Sequence, residues 1–137
     1  MNRKRTLVTG ATRGVGEALT LRLASKGHIV FALARTRDQL DSLVEHGGVG
    51  KVIPFEVDIS NRRQVEETIG LIDNEHDGVD VLVNNAGVVE NVFFEEQDLD
   101  MVDRIIDVNL KGSLYVTRCV VPLMVRSGGG RIINVSS

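Results

Sequence analysis

The sequence has 137 residues, enough for one domain and too few for two. Its net charge of −3 gives no support for a nucleic-acid surface. The basic cluster Arg3–Arg5 precedes no apolar run long enough for a signal peptide or a membrane span, so we interpret the cluster as a solvated lead-in to the first strand. The single cysteine, Cys119, excludes a disulfide framework, and three histidines without ligand spacing predict no metal site. Together these features favour a cytoplasmic protein without nucleic-acid or membrane partners.

Short apolar runs rich in β-branched residues alternate with helical patterns along the chain. Strands are predicted at Arg5–Thr9, His28–Ala34, Lys51–Val57, Asp80–Asn84 and Arg131–Val135. Helices are predicted at Val15–Lys26, Arg37–Glu45, Arg62–Glu75 and Leu99–Arg126, with capping pairs Thr36/Gln39 and Asn61/Gln64 and helix ends at Gly27, Gly47 and Gly128. The alternation predicts an α/β fold in one domain over residues 1–137, with a parallel sheet covered by helices on both faces.

The stretch Thr9–Gly16 lies between the first predicted strand and the first predicted helix. Its glycines, Gly10, Gly14 and Gly16, let the backbone turn sharply, approach a ligand closely and pack the helix on the strand. The first N–H groups of the helix then point at that ligand with the positive end of the helix dipole behind them, which suits a pyrophosphate. Glycine turns also occur where only backbone geometry requires them, so the rest of the chain decides between the two interpretations.

The end of the second predicted strand lies about 20 residues past the turn, where an acidic residue would accept from the 2′-hydroxyl of NAD. Here the stretch Leu33–Thr36 has no acid and carries Arg35, and Arg13 lies in the glycine turn. Two guanidiniums converging on one ribose favour a 2′-phosphate, which predicts that NADP is preferred over NAD. The alternative is that both are ordinary surface arginines.

Two further polar stretches end predicted strands. Asp58 closes the third strand and could accept from an adenine amino group, or it could cap the helix that begins near Asn61. The run Asn84–Gly87 ends the fourth strand, where small residues let the backbone come close to a cofactor and the amide side chains tie neighbouring loops together. Alone this run would be a turn, but a position beside the first strand favours a binding role.

Taken in order, these stretches resemble the classical short-chain dehydrogenase/reductase family. The matching motifs are Thr9–Gly16, Asp58, Asn84–Gly87, Asn109 and Ile132–Ser137. The resemblance implies a Rossmann-type, doubly wound parallel sheet of about five strands in the order 3-2-1-4-5. It also implies hydride transfer between NAD(P)(H) and a small-molecule carbonyl or alcohol. Arg13 and Arg35 resemble the arginines of members that prefer NADP.

The resemblance implies roles for individual residues. Those that would contact the dinucleotide are Gly10, Thr12, Arg13, Gly14, Val15, Gly16, Arg35, Thr36, Asp58, Ile59, Asn85, Ala86 and Gly87. Asn109 matches the catalytic asparagine, which lies in a distorted part of a long helix and holds a water in a proton relay. Ser137 matches the serine that orients the substrate oxygen. Without the family, Asn109 could be an ordinary polar residue in a helix and Ser137 a strand-end cap.

The sequence departs from the family's pattern at its proton donor. In the family this donor is a tyrosine, with a lysine four residues later, on the helix that follows the last strand found here. The single tyrosine, Tyr115, lies in the preceding helix and is followed four residues on by Cys119. We therefore expect the cofactor-binding half of an NADP-dependent oxidoreductase, incomplete relative to the family fold. A dinucleotide-binding module without catalysis and an inert truncated fragment are the alternatives.

The segment Leu99–Arg126 carries more apolar side chains than a single contact with a sheet would bury. Leaving three or four of them exposed would forgo about 5–10 kcal/mol, comparable to the stability of a whole domain. We therefore expect either a longer protein or an oligomer. The family commonly forms dimers and tetramers, partly through this helix, so the resemblance implies a homo-oligomer.

Overall fold

Five parallel strands form one sheet in the computed structural model, which describes residues 2–48 and 51–136. The strands are β1 (Arg5–Thr9), β2 (Ile29–Ala34), β3 (Val52–Glu56), β4 (Val81–Asn84) and β5 (Arg131–Asn134). The helices are α1 (Gly14–Ser25), α2 (Arg37–Gly47), α3 (Arg62–His76), α4 (Leu99–Ile105) and α5 (Ser113–Arg126). The strand order β3-β2-β1-β4-β5, with helices around the sheet, confirms the predicted fold class.

Two apolar cores lie on opposite faces of the sheet, because successive side chains of a strand point to opposite faces. Leu7 and its partner Phe31 face the core formed with α3 and α5. Val8 and its partner Ala32 face the core formed with α1 and α2. Since both sets of side chains are buried, β1 and β2 appear in the sequence as continuous apolar runs.

The ends of the elements lie within one or two residues of the predicted ends, apart from the long helix after β4. The predicted cap of α3 is confirmed, since Oδ1 of Asn61 accepts from the backbone N–H of Gln64 at 3.2 Å. The predicted end of α2 at Gly47 agrees with the structure. The helix ends at Gly47, and the residue that follows it, Gly48, has a φ of 95°, a conformation that glycine adopts without strain.

The predicted capping pair of α2 is wrong. Thr36 precedes the helix, but its side chain makes no capping hydrogen bond. Instead, the hydroxyl of Thr12 donates to Oε1 of Gln39 at 3.1 Å, so the side chain of Gln39 joins α2 to the glycine turn.

The basic cluster before β1 is less solvated than predicted. Arg5 is largely buried and donates from its backbone and its guanidinium to the carboxylate of Asp80, with distances of 2.8 to 3.1 Å. Its guanidinium also donates to the carbonyl oxygens of His76 and Asp77. Arg5 therefore fastens β1 to the segment that precedes β4, at the end of the sheet opposite to the glycine turn.

The long helix predicted after β4 is interrupted. A short 3-10 turn at Phe94–Glu96 precedes α4, and a π-helical segment, Ile106–Gly112, separates α4 from α5. π-helical segments of this kind contain an extra residue in a turn and occur frequently at functional sites. Asn109 lies in the middle of this segment.

Apolar side chains of β5 and of the long helix are left uncovered, although helices cover both faces of the sheet. The side chains of β5 are exposed, including Ile132 and Ile133. Four residues of the long helix are also exposed and recur on one side of it, and we refer to them as the exposed helix face: Leu110, Leu114, Val121 and Val125. Among the described residues, no helix combines the length and apolar character required to cross a membrane.

Candidate functional site

The glycine turn after β1 has the backbone conformation that its sequence predicts. Gly10 and Gly14 have φ values of 61° and 53°, which disfavour any residue with a Cβ. A Cβ at Gly10 would lie 2.8 Å from Cα of Ala86, and one at Gly16 would overlap the carbonyl oxygen of Gly10. The glycines thus allow β1, α1 and the end of β4 to meet closely.

Hydrogen bonds hold the turn against the loop that follows β4. The buried hydroxyl of Thr9 accepts from the backbone N–H groups of Asn85 and Ala86, both at 3.0 Å. The side-chain amide of Asn85 donates to the carbonyl oxygens of Thr9 and Gly10 at 3.2 and 3.1 Å. Asn85 therefore ties neighbouring loops together, as predicted, and fixes the backbone on both sides of the cleft between them.

A cavity of about 420 Å³ lies at this edge of the sheet. It brings together most of the residues predicted to contact a dinucleotide: Gly10, Thr12, Arg13, Gly14, Val15, Arg35, Thr36, Asp58, Ile59, Asn85, Ala86 and Gly87. Gly16 is the predicted residue that does not line the cavity. It is buried behind the turn, where it permits the close packing described above.

Arg13 and Arg35 both line this cavity, as do Thr36 and Gln39. Both arginines are exposed, and neither forms an ion pair with an acidic side chain in the described part of the chain. Two guanidiniums without an ion-pair partner make the cavity suited to an anionic group.

Asp58 lines the same cavity and does not cap α3, so the capping alternative is wrong. Its Oδ1 accepts from the backbone N–H of Ser60 at 3.0 Å and from the Ser60 hydroxyl at 2.7 Å. Its Oδ2 accepts from Nη1 of Arg104 at 3.2 Å. Partial burial raises the pKa of Asp58, but the hydrogen bonds from Ser60 and the positive charge of Arg104 together lower it more, so the pKa lies below its usual value. Asp58 is therefore ionised at neutral pH and can accept a hydrogen bond from a ligand.

Asn109 lies against the loop after β4, on the other side of Asn85–Gly87. Its side chain accepts from the backbone N–H of Val88 at 2.8 Å and donates to the Val88 carbonyl at 2.9 Å. A second cavity, of about 1040 Å³, is lined by Asn109 together with Leu114, Asn134 and Ser136. Ser137, the other predicted catalytic residue, lies outside the described residues.

The two cavities share the residues Asn85–Val88 as part of their walls, so they adjoin near the carboxyl ends of the strands, and we refer to them together as the cleft. Ligands of open α/β sheets bind at this edge, where the strand order changes direction. At Gly14, an added Cβ would meet no protein atom within 4 Å, which leaves room for a group against the start of α1. The cleft therefore fits an elongated ligand with phosphate groups near the turn and an anionic group near the arginines.

Two polar residues of the first cavity, Gln39 and Arg104, were not predicted to belong to the site. Gln39 was interpreted as part of a cap, and Arg104 as an ordinary residue of a long helix. Their partners are 27 and 46 residues away in the sequence, so local pattern gave no indication of either contact. Within residues 2–48 and 51–136, no cluster of three or more His, Cys, Asp or Glu side chains could hold a metal ion.

Comparisons with known proteins agree with this geometry. The family model described as short chain dehydrogenase matches residues 4–137. The chain is similar to the 3-oxoacyl-[acyl-carrier-protein] reductase FabG of Thermotoga maritima, with 40% identity over 133 residues that cover 96% of this chain and 54% of the relative. It is also 38% identical to the NADP-dependent 3-hydroxy acid dehydrogenase YdfG of Escherichia coli K12, over 96% of this chain and 53% of that protein.

A solved structure gives the same result. A metagenomic short-chain oxidoreductase in complex with NADP superimposes with a TM-score of 0.91 and 31% identity, covering 98% of this chain and 62% of the other. The chain spans about half the length of the curated relatives that it matches.

Proposed function

Because the chain belongs to the short-chain dehydrogenase family, we propose that it binds NADP(H) and forms the cofactor-binding half of an oxidoreductase that interconverts a small-molecule carbonyl and alcohol. The observation that carries this proposal is the first cavity, whose walls bring together the glycine turn, Arg13, Arg35, Asp58 and Asn85–Gly87.

The residues of the cleft would bind the dinucleotide along its length. The turn from Gly10 to Gly14 would hold the pyrophosphate, since glycines allow close approach and the start of α1 provides free N–H groups. Asp58 and Ile59 would hold the adenine. The segment Asn85–Gly87 would lie along the adenosine ribose and the path to the nicotinamide.

The preference for NADP over NAD rests on the positive charge in the wall of the first cavity. Arg13 and Arg35 carry this charge, and neither is paired with an acidic side chain within the described chain. A 2′-phosphate would form charge-assisted hydrogen bonds with both guanidiniums, whereas a 2′-hydroxyl would gain little from them. The NADP-dependent Escherichia coli relative and the NADP complex of the metagenomic oxidoreductase support this preference.

When bound, the nicotinamide would supply or accept the hydride. The residues of this chain would position the reactants around it. Asn109 holds the backbone of Val88 beside the cleft and would hold a water in the proton relay. Ser137 would orient the substrate oxygen.

Titration of the 137-residue chain with NADPH and NADH by isothermal calorimetry tests the proposal. We expect NADPH to bind more tightly, and Arg13→Ala or Arg35→Ala to weaken NADPH binding by about tenfold while NADH binding changes little. Arg22→Ala, which removes an exposed arginine of α1 outside the cleft, is the matched control. Absence of NADPH binding at millimolar concentrations would contradict the proposal.

A second function, dinucleotide binding without turnover, is favoured by the position of Tyr115. This single tyrosine packs against the core from α5, before β5, and Cys119 follows it four residues later, so the two do not match the family's tyrosine and lysine. Measuring NADPH consumption by the chain with a panel of aldehydes and ketones tests this second function, because any consumption would exclude it.

A further inference from the structure

Arg104 of α4 reaches across to the loop that follows β3 and joins two of its polar side chains. Its Nη1 donates to Oδ2 of Asp58 at 3.2 Å and to Oγ of Ser60 at 3.0 Å. Ser60 in turn donates twice to Oδ1 of Asp58. The three side chains therefore form a closed hydrogen-bonded group in the wall of the first cavity.

The same loop is also held at the far end of the π-helical segment. A Cβ at Gly112 would lie 2.7 and 2.8 Å from side-chain atoms of Ile59 and 3.2 Å from its carbonyl oxygen. The absence of a side chain at Gly112 thus lets the loop pack directly on the helix. Arg104 and Gly112 lie on either side of Asn109, and together they hold the segment Asp58–Ser60 against the helix.

The guanidinium of Arg104 is directed at Asp58, and the side chain is 30% exposed. Its Nη2 is buried and has no hydrogen-bond partner among the described residues. A buried donor without a partner is unfavourable, and an apolar side chain of similar size would avoid that cost. Stability alone therefore does not account for an arginine at this position.

We propose that Arg104 is a positioning residue that holds the carboxylate of Asp58 in place to accept a hydrogen bond from the amino group of an adenine. The proposal rests on the proposed function, in which adenine lies against Asp58. Ser60 occupies Oδ1 with two hydrogen bonds, whereas Oδ2 receives one from Arg104 and retains a free lone pair. Without Arg104, the carboxylate would lose both this fixed orientation and its neighbouring positive charge.

The test uses adenosine 2′,5′-bisphosphate, which carries the adenine and phosphates without the nicotinamide. We expect Arg104→Gln to weaken its binding to the chain by about tenfold in calorimetric titrations. Arg104→Lys keeps a positive charge within reach of Asp58 and should restore part of the affinity. The matched control is Arg126→Gln, which breaks an arginine–aspartate pair with Asp73 (2.6 and 2.7 Å) far from the cleft and should leave binding unchanged.

A pH series distinguishes positioning from a general structural effect. Arg104 is the charged side chain that contacts Asp58, because the other two contacts, Ser60 and Gln64, are neutral. The other charged side chains in the wall of the same cavity are Arg13 and Arg35. Loss of Arg104 should raise the pKa of Asp58. As the pH is lowered, the affinity for the bisphosphate should therefore begin to fall at a higher pH in Arg104→Gln than in the wild type. Ionisation of the ligand phosphates is the same in both titrations and does not affect this difference.

A double-mutant cycle completes the test. If Arg104 acts through Asp58, Arg104→Gln should change affinity little in an Asp58→Asn background. Equal affinity and an unchanged pH profile for folded Arg104→Gln would overturn the proposal, as would additive losses in the cycle. If Arg104→Gln does not fold, Asp58→Asn provides the test, because an affinity equal to that of the wild type would show that this carboxylate does not bind the adenine and would overturn the proposal. Absence of binding to the wild type would instead overturn the proposed function.

Discussion

The side chain of Asn109 and the backbone of Val88 form two hydrogen bonds with each other. Val88 N–H donates to Oδ1 at 2.8 Å, and Nδ2 donates to the Val88 carbonyl at 2.9 Å. The amide makes both bonds because it donates and accepts at once. No other side chain of the same length and charge could make both.

Asn109→Ala should therefore destabilise the chain by about 1 kcal/mol, since both bonds are lost at a partly solvated site. Asn109→Asp should be at least as destabilising, because a carboxylate oxygen would then face the Val88 carbonyl. Urea unfolding measures both. Asn74→Ala is the control, as it makes the same change on an exposed part of α3 and should have little effect. Equal stability of Asn109→Ala and the wild type would show that the two bonds contribute nothing measurable.

Gly16 and Gly70 allow a matched comparison of two glycines that both lie within helices. A Cβ at Gly16 would lie 2.5 Å from Nδ2 of Asn85 and 2.9 Å from the carbonyl carbon of Gly10, whereas at Gly70 it would meet nothing within 4 Å. Gly16→Ala should cost about 1–3 kcal/mol of stability through overpacking. Gly70→Ala should stabilise the chain by about 0.5–1 kcal/mol through helix propensity. Thermal unfolding of both variants measures the contrast, and equal shifts of the same sign would contradict it.

The Arg5–Asp80 pair should make stability depend on pH. Hydrogen bonds from Arg5 lower the pKa of Asp80 more than partial burial raises it. Because the folded pKa is lower than the unfolded value of about 3.9, the stabilisation is complete above that value and is lost as the pH falls through the folded pKa.

Asp80→Asn should therefore reduce stability by about 2 kcal/mol at pH 7, and its difference from the wild type should shrink below about pH 4. Urea unfolding at a series of pH values measures this difference. Asp41→Asn is the control, since it removes an ion pair with Arg37 in which both side chains are more than half exposed, and should cost little. A difference between Asp80→Asn and the wild type that stays constant down to pH 2 would contradict the assignment.

The exposed helix face provides a test of the expected homo-oligomer. Leu114 is 58% exposed, and an apolar stripe of this kind is typical of surfaces that a partner covers. We expect the chain to form dimers or tetramers in sedimentation velocity, and Leu114→Lys to shift it toward monomer. Leu71→Lys, at a leucine of α3 that is 49% exposed, should leave the oligomer intact. A wild-type chain that remains monomeric at all concentrations would contradict the expectation.

Local sequence features predicted most of the fold. The cap of α3 at Asn61 and the glycine turn depend on residues within a few positions of each other, and both are found in the structure. The alternation of apolar runs and helical patterns predicted the order of elements, because each run had to be buried on both faces.

Contacts between distant segments could not be predicted in the same way. Arg5 and Asp80 lie 75 positions apart, and Arg104 and Asp58 lie 46 apart. Each of these residues has the charge of an ordinary surface side chain, and only the arrangement of strands and helices brings the pairs together. The apolar pattern did not indicate the π-helical segment either, since one extra residue in a turn changes the spacing of apolar residues too little to interrupt a helical pattern. Only the family resemblance implied a distorted helix at Asn109, and the segment lies there.

The extra residue in the π-helical segment determines which side of α5 faces the core. Each residue of an α-helix turns the chain by about 100°, so deletion of a single residue within Ile106–Gly112 would rotate everything after it by about that angle. Val116 and Val120, now buried with α3, would turn away from the core, and the apolar side chains that are now exposed would turn toward other surroundings. The segment should therefore tolerate substitutions at exposed apolar positions such as Leu110, but no change of length, because its length decides which side of α5 belongs to the core.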